Sequence, residues 1–174
     1  MKYTICAAVL ALVTGVPAIH AQNLSAVITE VKQSYETVKS NLLKSAEKVP
    51  DEDYSFKPTP EIRSFGEVMG HVVAAQGHTC AAILAEQSAS HSKPSTKAEI
   101  VSALKDSFAE CDKAYGSLTD ANATETVSTG RGQRTRLGAL IGNMTHDVEQ
   151  YSILTVYMRL KGIVPPSSEH SGGK

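Results

Sequence analysis

Tryptophan is absent from this chain, and all aromatics together make up only 5 % of it. A stacking platform for nucleic-acid bases needs more. Neither sign of charge is in excess: 17 Lys and Arg stand against 18 Asp and Glu, a formal net charge of −1. The broad positive field that draws in nucleic acid is therefore missing. Cysteine is scarce, with three in 174 residues and none in CxxC or CxxCH spacing. That excludes a thioredoxin-type redox centre and covalent haem attachment. There is no glycine-rich loop to cradle phosphate, no defensible Ser–His–Asp pattern and no paired-carboxylate site. The apolar/polar alternation of a half-buried strand is lacking. Nor does any apolar run reach the about 20 residues that a membrane span requires. What remains is ordinary for a globular chain, 41 % hydrophobic and 20 % charged, in a length that suits one domain.

The first 21 residues read as an address. Lys2 precedes an apolar run from Ile5 to Ile19, and small residues follow at Ala18 and Ala21. This is the order of a secretory signal, with cleavage after Ala21 or after Ala18 and a retained N-terminal anchor as the alternative. The expectation is a signal peptide at 1–21, a folded body at 22–168 and a disordered tail at 169–174, in a periplasmic or secreted protein. Export removes Cys6 and leaves Cys80 and Cys111 in an oxidising compartment, where they pair or stay as buried thiols. After signal cleavage nothing calls for membrane or nucleic-acid partners.

The body shows 3.6-residue periodicity four times, which predicts an all-α four-helix bundle. The first helix spans about 24–46 with the stripe Leu24, Val27, Ile28, Val31, Tyr35, Val38 and Leu42. A joint containing Pro50, Pro58 and Pro60 cannot be helix interior. The second helix spans about 65–86, opened by a Ser64-x-x-Glu67 capping box, with Phe65, Val68, Met69, Val72, Gln76, Cys80 and Ile83 inward. The third opens on Thr96-x-x-Glu99 and carries Ile100, Leu104, Phe108, Cys111, Tyr115 and Leu118. A polar loop at about 119–134 leads to the fourth helix, about 136–161, closed by Gly162 and Pro165-Pro166. Its expected stripe is Leu137, Leu140, Ile141, Met144, Val148, Tyr151 and Thr155. Arg131, Arg134 and Arg136 cluster before it, as a solvated loop would carry them; an anion site is the alternative.

Three histidines fall on helices. His71 and His78 lie within about 20° of each other on the second helix, well away from its core stripe. His146 points nearly opposite the expected stripe of the fourth. Its own face holds Asn143 and Gln150 and runs on into Ile153, Tyr157 and Leu160, where a solvated face would carry Lys and Glu. A second, semi-enclosed surface is expected there, and its apolar part would suit a homodimer. His71 from one helix, with His146 and Gln150 at i,i+4 on another, could chelate a divalent metal such as Zn, Ni, Fe or Mn.

Two stretches carry a resemblance. Residues 48–71, KVPDEDYSFKPTPEIRSFGEVMGH, and residues 146–168, HDVEQYSILTVYMRLKGIVPPSS, resemble the joint with its second-helix start and the end of the fourth helix in DinB-superfamily proteins. The resemblance covers nearly all of the chain after the signal. It implies an up-down-down-up bundle and a divalent-metal site built from one His on the second helix and an H-x-x-x-H pair on the fourth. Characterised relatives include metal-dependent thiol S-transferases. By position the ligands are His71, His146 and, where the family has its third His, Gln150. An amide oxygen is a weaker ligand than imidazole for late transition metals. The site would then bind loosely, choose a harder metal, recruit His78 or stand vacant. Catalytic residues are not assignable from the sequence. The implied function is a metal-dependent transferase or hydrolase acting on a small molecule, with a non-catalytic binding or interaction bundle as the alternative. The implied parallel run of helices two and three sets Cys80 and Cys111 at one level, where a disulfide could form.

Overall fold

A computed structural model describes residues 17–86, 94–130 and 132–169, with side chains from residue 24 onward. Residues 1–16 of the segment expected to be a signal peptide, the loop at 87–93 with His91, Arg131 and the tail from residue 170 lie outside the described residues.

The four periodic segments are helices: α1 (Pro17–Lys48), α2 (Phe65–Leu84), α3 (Lys97–Gly116) and α4 (Arg136–Leu160). Both capping boxes form. Ser64 accepts from the Glu67 amide while Glu67 accepts from the Ser64 amide, and Thr96 and Glu99 do the same for α3. Gly162, at φ 72°, closes α4, and the Ile163 amide reaches back to the Met158 carbonyl at 2.8 Å. The proline-rich joint holds a short 3-10 turn, Asp51–Ser55, whose Tyr54 plugs the bundle end and donates to the Ala46 carbonyl at 2.5 Å.

Helix directions follow from side-chain pairs at different heights. On α2 and α3, Gln76 meets Ser107 and Cys80 is disulfide-bonded to Cys111, so the two run parallel. Lys32 of α1 donates to the Leu118 carbonyl just past α3, while Glu47 at the other end of α1 pairs with Lys105, so α1 and α3 are antiparallel. Tyr157 of α4 reaches the Arg63 carbonyl before α2, and Asp147 meets Gln76 farther along, so α2 and α4 are antiparallel. The bundle is up-down-down-up. The pairing of Cys80 with Cys111, with Cα atoms 5.1 Å apart, resolves the choice between bridge and free thiols.

The inward stripes of α2 and α3 are buried as expected, and that of α1 except for Leu24, which is half-buried, and Val27, which is 44 % exposed and lies about 60° off the centre of its stripe. The segment expected as a polar loop instead holds a hairpin, β1 (Thr126–Thr129) paired antiparallel with β2 (Gly132–Thr135). Each strand has four residues and β1 half-buries only Val127 and Thr129, too short and too polar for alternation to register.

The expected stripe of α4 is corrected. Val148 is 43 % exposed, and the buried face is Ala139, Leu140, Asn143, Asp147, Gln150, Tyr151, Leu154, Tyr157 and Met158. This face is turned about 90° from the expected one. Three polar residues occupy it, two of them with partners inside the bundle (Tyr115 for Asn143, Gln76 for Asp147), so apolar periodicity pointed to the wrong side. The rotation moves His146 from the back of the helix to the flank of its buried face. It also splits the second apolar face: Tyr157 is buried, whereas Ile153 and Leu160 are exposed.

Candidate metal centre

His71 lies two turns into α2, and His146 lies mid-way along antiparallel α4. Their Nε2 atoms stand 3.1 Å apart, with the rings 69° from coplanar. Two ligands of one ion, at metal–nitrogen bonds of about 2.1 Å, sit about 3.0–3.4 Å from each other, so the separation suits a shared cation. It also suits an N–H···N hydrogen bond, for which one Nε2 must carry the proton.

Behind His146 lies a buried polar chain. The Nδ1 of His146 is 3.6 Å from Oδ1 of Asp147, and both atoms are buried without a hydrogen-bond partner. At that distance the contact is electrostatic. The other oxygen of Asp147 accepts from Gln76 Nε2 at 3.0 Å, and Ser107 Oγ lies 2.6 Å from Gln76 Oε1. Asp147 and Gln76 are wholly buried. Burial raises the Asp147 carboxyl above the usual range, against the lowering effect of His146 and Gln76. The negative field of the carboxylate favours a proton on His146 Nδ1, which leaves Nε2 as a lone pair facing His71, the tautomer a metal ligand needs.

The pair opens onto a cavity of about 480 Å³, walled also by His78, Asn143, Arg134 and the hairpin tip at Thr129 and Gly130. A second cavity, about 880 Å³, lies toward Tyr54 and the start of α3 and shares His71 and Ala74 with the first. His71 therefore stands where the two meet. One end of the Asn143 amide is met by the Tyr115 hydroxyl at 3.0 Å, and its nitrogen has no partner.

Of the residues singled out from sequence, His71 and His146 are brought together. His78 is exposed on the cavity wall. Gln150 is buried one turn beyond His146 and does not line this cavity. Among the described residues, no group of three or more His, Cys, Asp or Glu side chains is placed to hold one ion. Asn143 falls on the His146 face, as expected; Asp147 and the covering hairpin were not anticipated. The available signal was Gln76: an amide on a core stripe requires a buried partner, and the polar series Asn143, Asp147, Gln150 on α4 supplied one.

The DinB superfamily profile matches residues 34–153, most of the chain. The chain belongs to the DinB superfamily. Among solved structures it is similar to a DinB-like protein from Bacillus cereus, at 19 % identity and TM-score 0.67, over 78 % of this chain and 93 % of that one. It is also similar to the DinB-like protein YjoA from Bacillus subtilis, at 16 % identity and TM-score 0.63, over 81 % and 99 %. At these identities the likeness is one of fold. A search among curated proteins finds no match. No helix among the described residues is long and apolar enough to cross a membrane.

Proposed function

We propose that this DinB-superfamily chain is an exported protein that holds a divalent metal between His71 and His146 and acts on a small molecule by thiol transfer or hydrolysis. The observation that carries the reading is the 3.1 Å approach of the two Nε2 atoms, backed by a buried carboxylate. The two imidazoles fit a borderline divalent ion such as Zn, Ni or Fe, for which neutral imidazole is a good ligand, and fit the harder Mn less well. His71 and His146 would hold it; Gln150, at the third family position, is buried one turn beyond His146, outside this cavity. Once bound, such an ion lowers the pKa of a coordinated water or thiol toward neutrality.

The protein's own groups have separate tasks. Asp147 keeps the His146 proton on Nδ1, and Gln76 with Ser107 fixes Asp147. The hairpin covers one side of the cavity and narrows solvent access to the imidazoles. The two cavities that meet at His71 give a small molecule two lines of approach.

A second reading is a bundle that keeps the scaffold without the metal and serves as a binding or interaction module. It is favoured by Gln150 in place of a third imidazole and by the lack, among the described residues, of a third His, Cys, Asp or Glu placed to share an ion with the pair. Gln150→His separates the two. If the pocket is intact, the variant binds Zn²⁺ or Ni²⁺ at least tenfold more tightly than wild type in calorimetric titration. Affinity unchanged and negligible in both proteins supports the module.

A further inference from the structure

Among the described residues, the wall of the cavity beside His71 and His146 holds one permanent cation and no carboxylate. The cation is Arg134, on β2. Its guanidinium lies across Gly142 of α4, where an added Cβ would meet Nη1 at 2.8 Å. Glycine at 142 is what lets the guanidinium rest against the helix at the cavity edge. Among the described residues the Arg134 side chain has neither hydrogen bond nor ion pair, whereas Arg136, two positions on, is tied to Glu125 at 3.2 Å. Asp147 is wholly buried behind His146, with its carboxylate turned toward His146 Nδ1 and Gln76 and not lining the cavity. His78, also in the wall, adds positive charge only when protonated. A guanidinium without a partner among the described residues, in a concave site whose described lining holds no acid, is matched by the planar fork of a carboxylate or by phosphate oxygens.

We infer that this cavity takes a small anion whose carboxylate or phosphate group docks on Arg134, with the rest of the molecule lying toward His71 and His146. The inference rests on the cavity being the substrate site proposed above, but anion docking itself needs no metal. The hairpin then does more than cover the bundle: it carries the group that selects substrates by charge.

The test uses protein stripped of metal by dialysis, titrated with inorganic phosphate and separately with succinate, and read by amide NMR. Saturable shifts are expected at Gly130, Gly142 and Asn143, with at least one of the two probes. Whichever probe saturates identifies the group. Arg134→Gln, at an exposed position that the fold does not depend on, should weaken binding about tenfold or more. Arg134→Lys should fall between, and Gly142→Ala should weaken binding by displacing the guanidinium. Lys44→Gln, which removes the same charge far from the cavity, should bind as wild type does. Equal affinity in wild type and Arg134→Gln, or no saturable shift with either probe, overturns the inference. Zn²⁺ titration of the same samples keeps the readings apart. Metal uptake without anion binding sinks this inference alone, and anion binding without metal uptake sinks only the metal reading.

Discussion

Gln76 on α2 donates its amide N–H to Asp147 on α4 at 3.0 Å, with both side chains wholly sealed from solvent. This bond joins two antiparallel helices one layer below the imidazoles. Asp147→Ala would strand the Gln76 amide in the core and cost about 1–3 kcal/mol of stability, measurable by urea unfolding. Asp147→Asn keeps the shape but removes the charge behind His146. It should fold, with metal affinity about 10–100-fold lower by calorimetry. Unaltered metal affinity in a folded Asp147→Asn would remove Asp147 from the site.

Cys80 and Cys111 close a loop with a sequence separation of 31. A bridge of that span stabilises by roughly 3–4 kcal/mol through restriction of the unfolded chain. Reduction should lower the urea midpoint accordingly. Thiol titration of the unfolded, unreduced protein without residues 1–21 should find none. Two reactive thiols would contradict the bridge.

The acid limb of stability should report the two capping boxes. Glu67 is held at about 2, first by the Ser64 amide and then by Lys57. Glu99 is held at about 2 by the Ser95 and Thr96 amides. A carboxyl with a lowered folded pKa stabilises above its unfolded value of about 4.3 and loses that contribution as pH falls toward 2. Wild type should therefore lose more stability between pH 4.5 and 2 than Glu67→Gln/Glu99→Gln. Unfolding profiles that stay parallel over that range would show that the boxes do not titrate.

Ala85 ends α2 in the left-handed region at φ 56°. A Cβ there costs about 1–2 kcal/mol, part of which glycine returns to its own unfolded-state entropy. Ala85→Gly should raise stability by about 0.5–1 kcal/mol in chemical denaturation, and a loss would contradict the strained cap.

Helix number, caps and the stripes of α2 and α3 were legible because each rests on local rules: a capping pair, a proline, a 3.6-residue apolar rhythm. The meeting of His71 with His146 was legible only as an expectation, since spacing along one helix says nothing of its neighbour. The face of α4 was misread because its buried side is partly polar. Asn143 and Asp147 are buried for their partners on α2 and α3, and apolar periodicity is blind to such pairs. The hairpin was invisible for a related reason: four-residue strands of Thr, Ser, Gln and Gly derive their order from packing over α2 and α4.

The central claim is that His71 and His146 together hold a divalent ion. Elemental analysis after Zn²⁺ or Ni²⁺ loading and exhaustive dialysis tests it in wild type, His71→Ala and His146→Ala, each checked for folding by circular dichroism. The account predicts about one ion per chain in wild type and a near-complete loss in either folded variant. Equal, near-zero metal in all three would contradict it and leave the 3.1 Å contact as a hydrogen bond between two imidazoles.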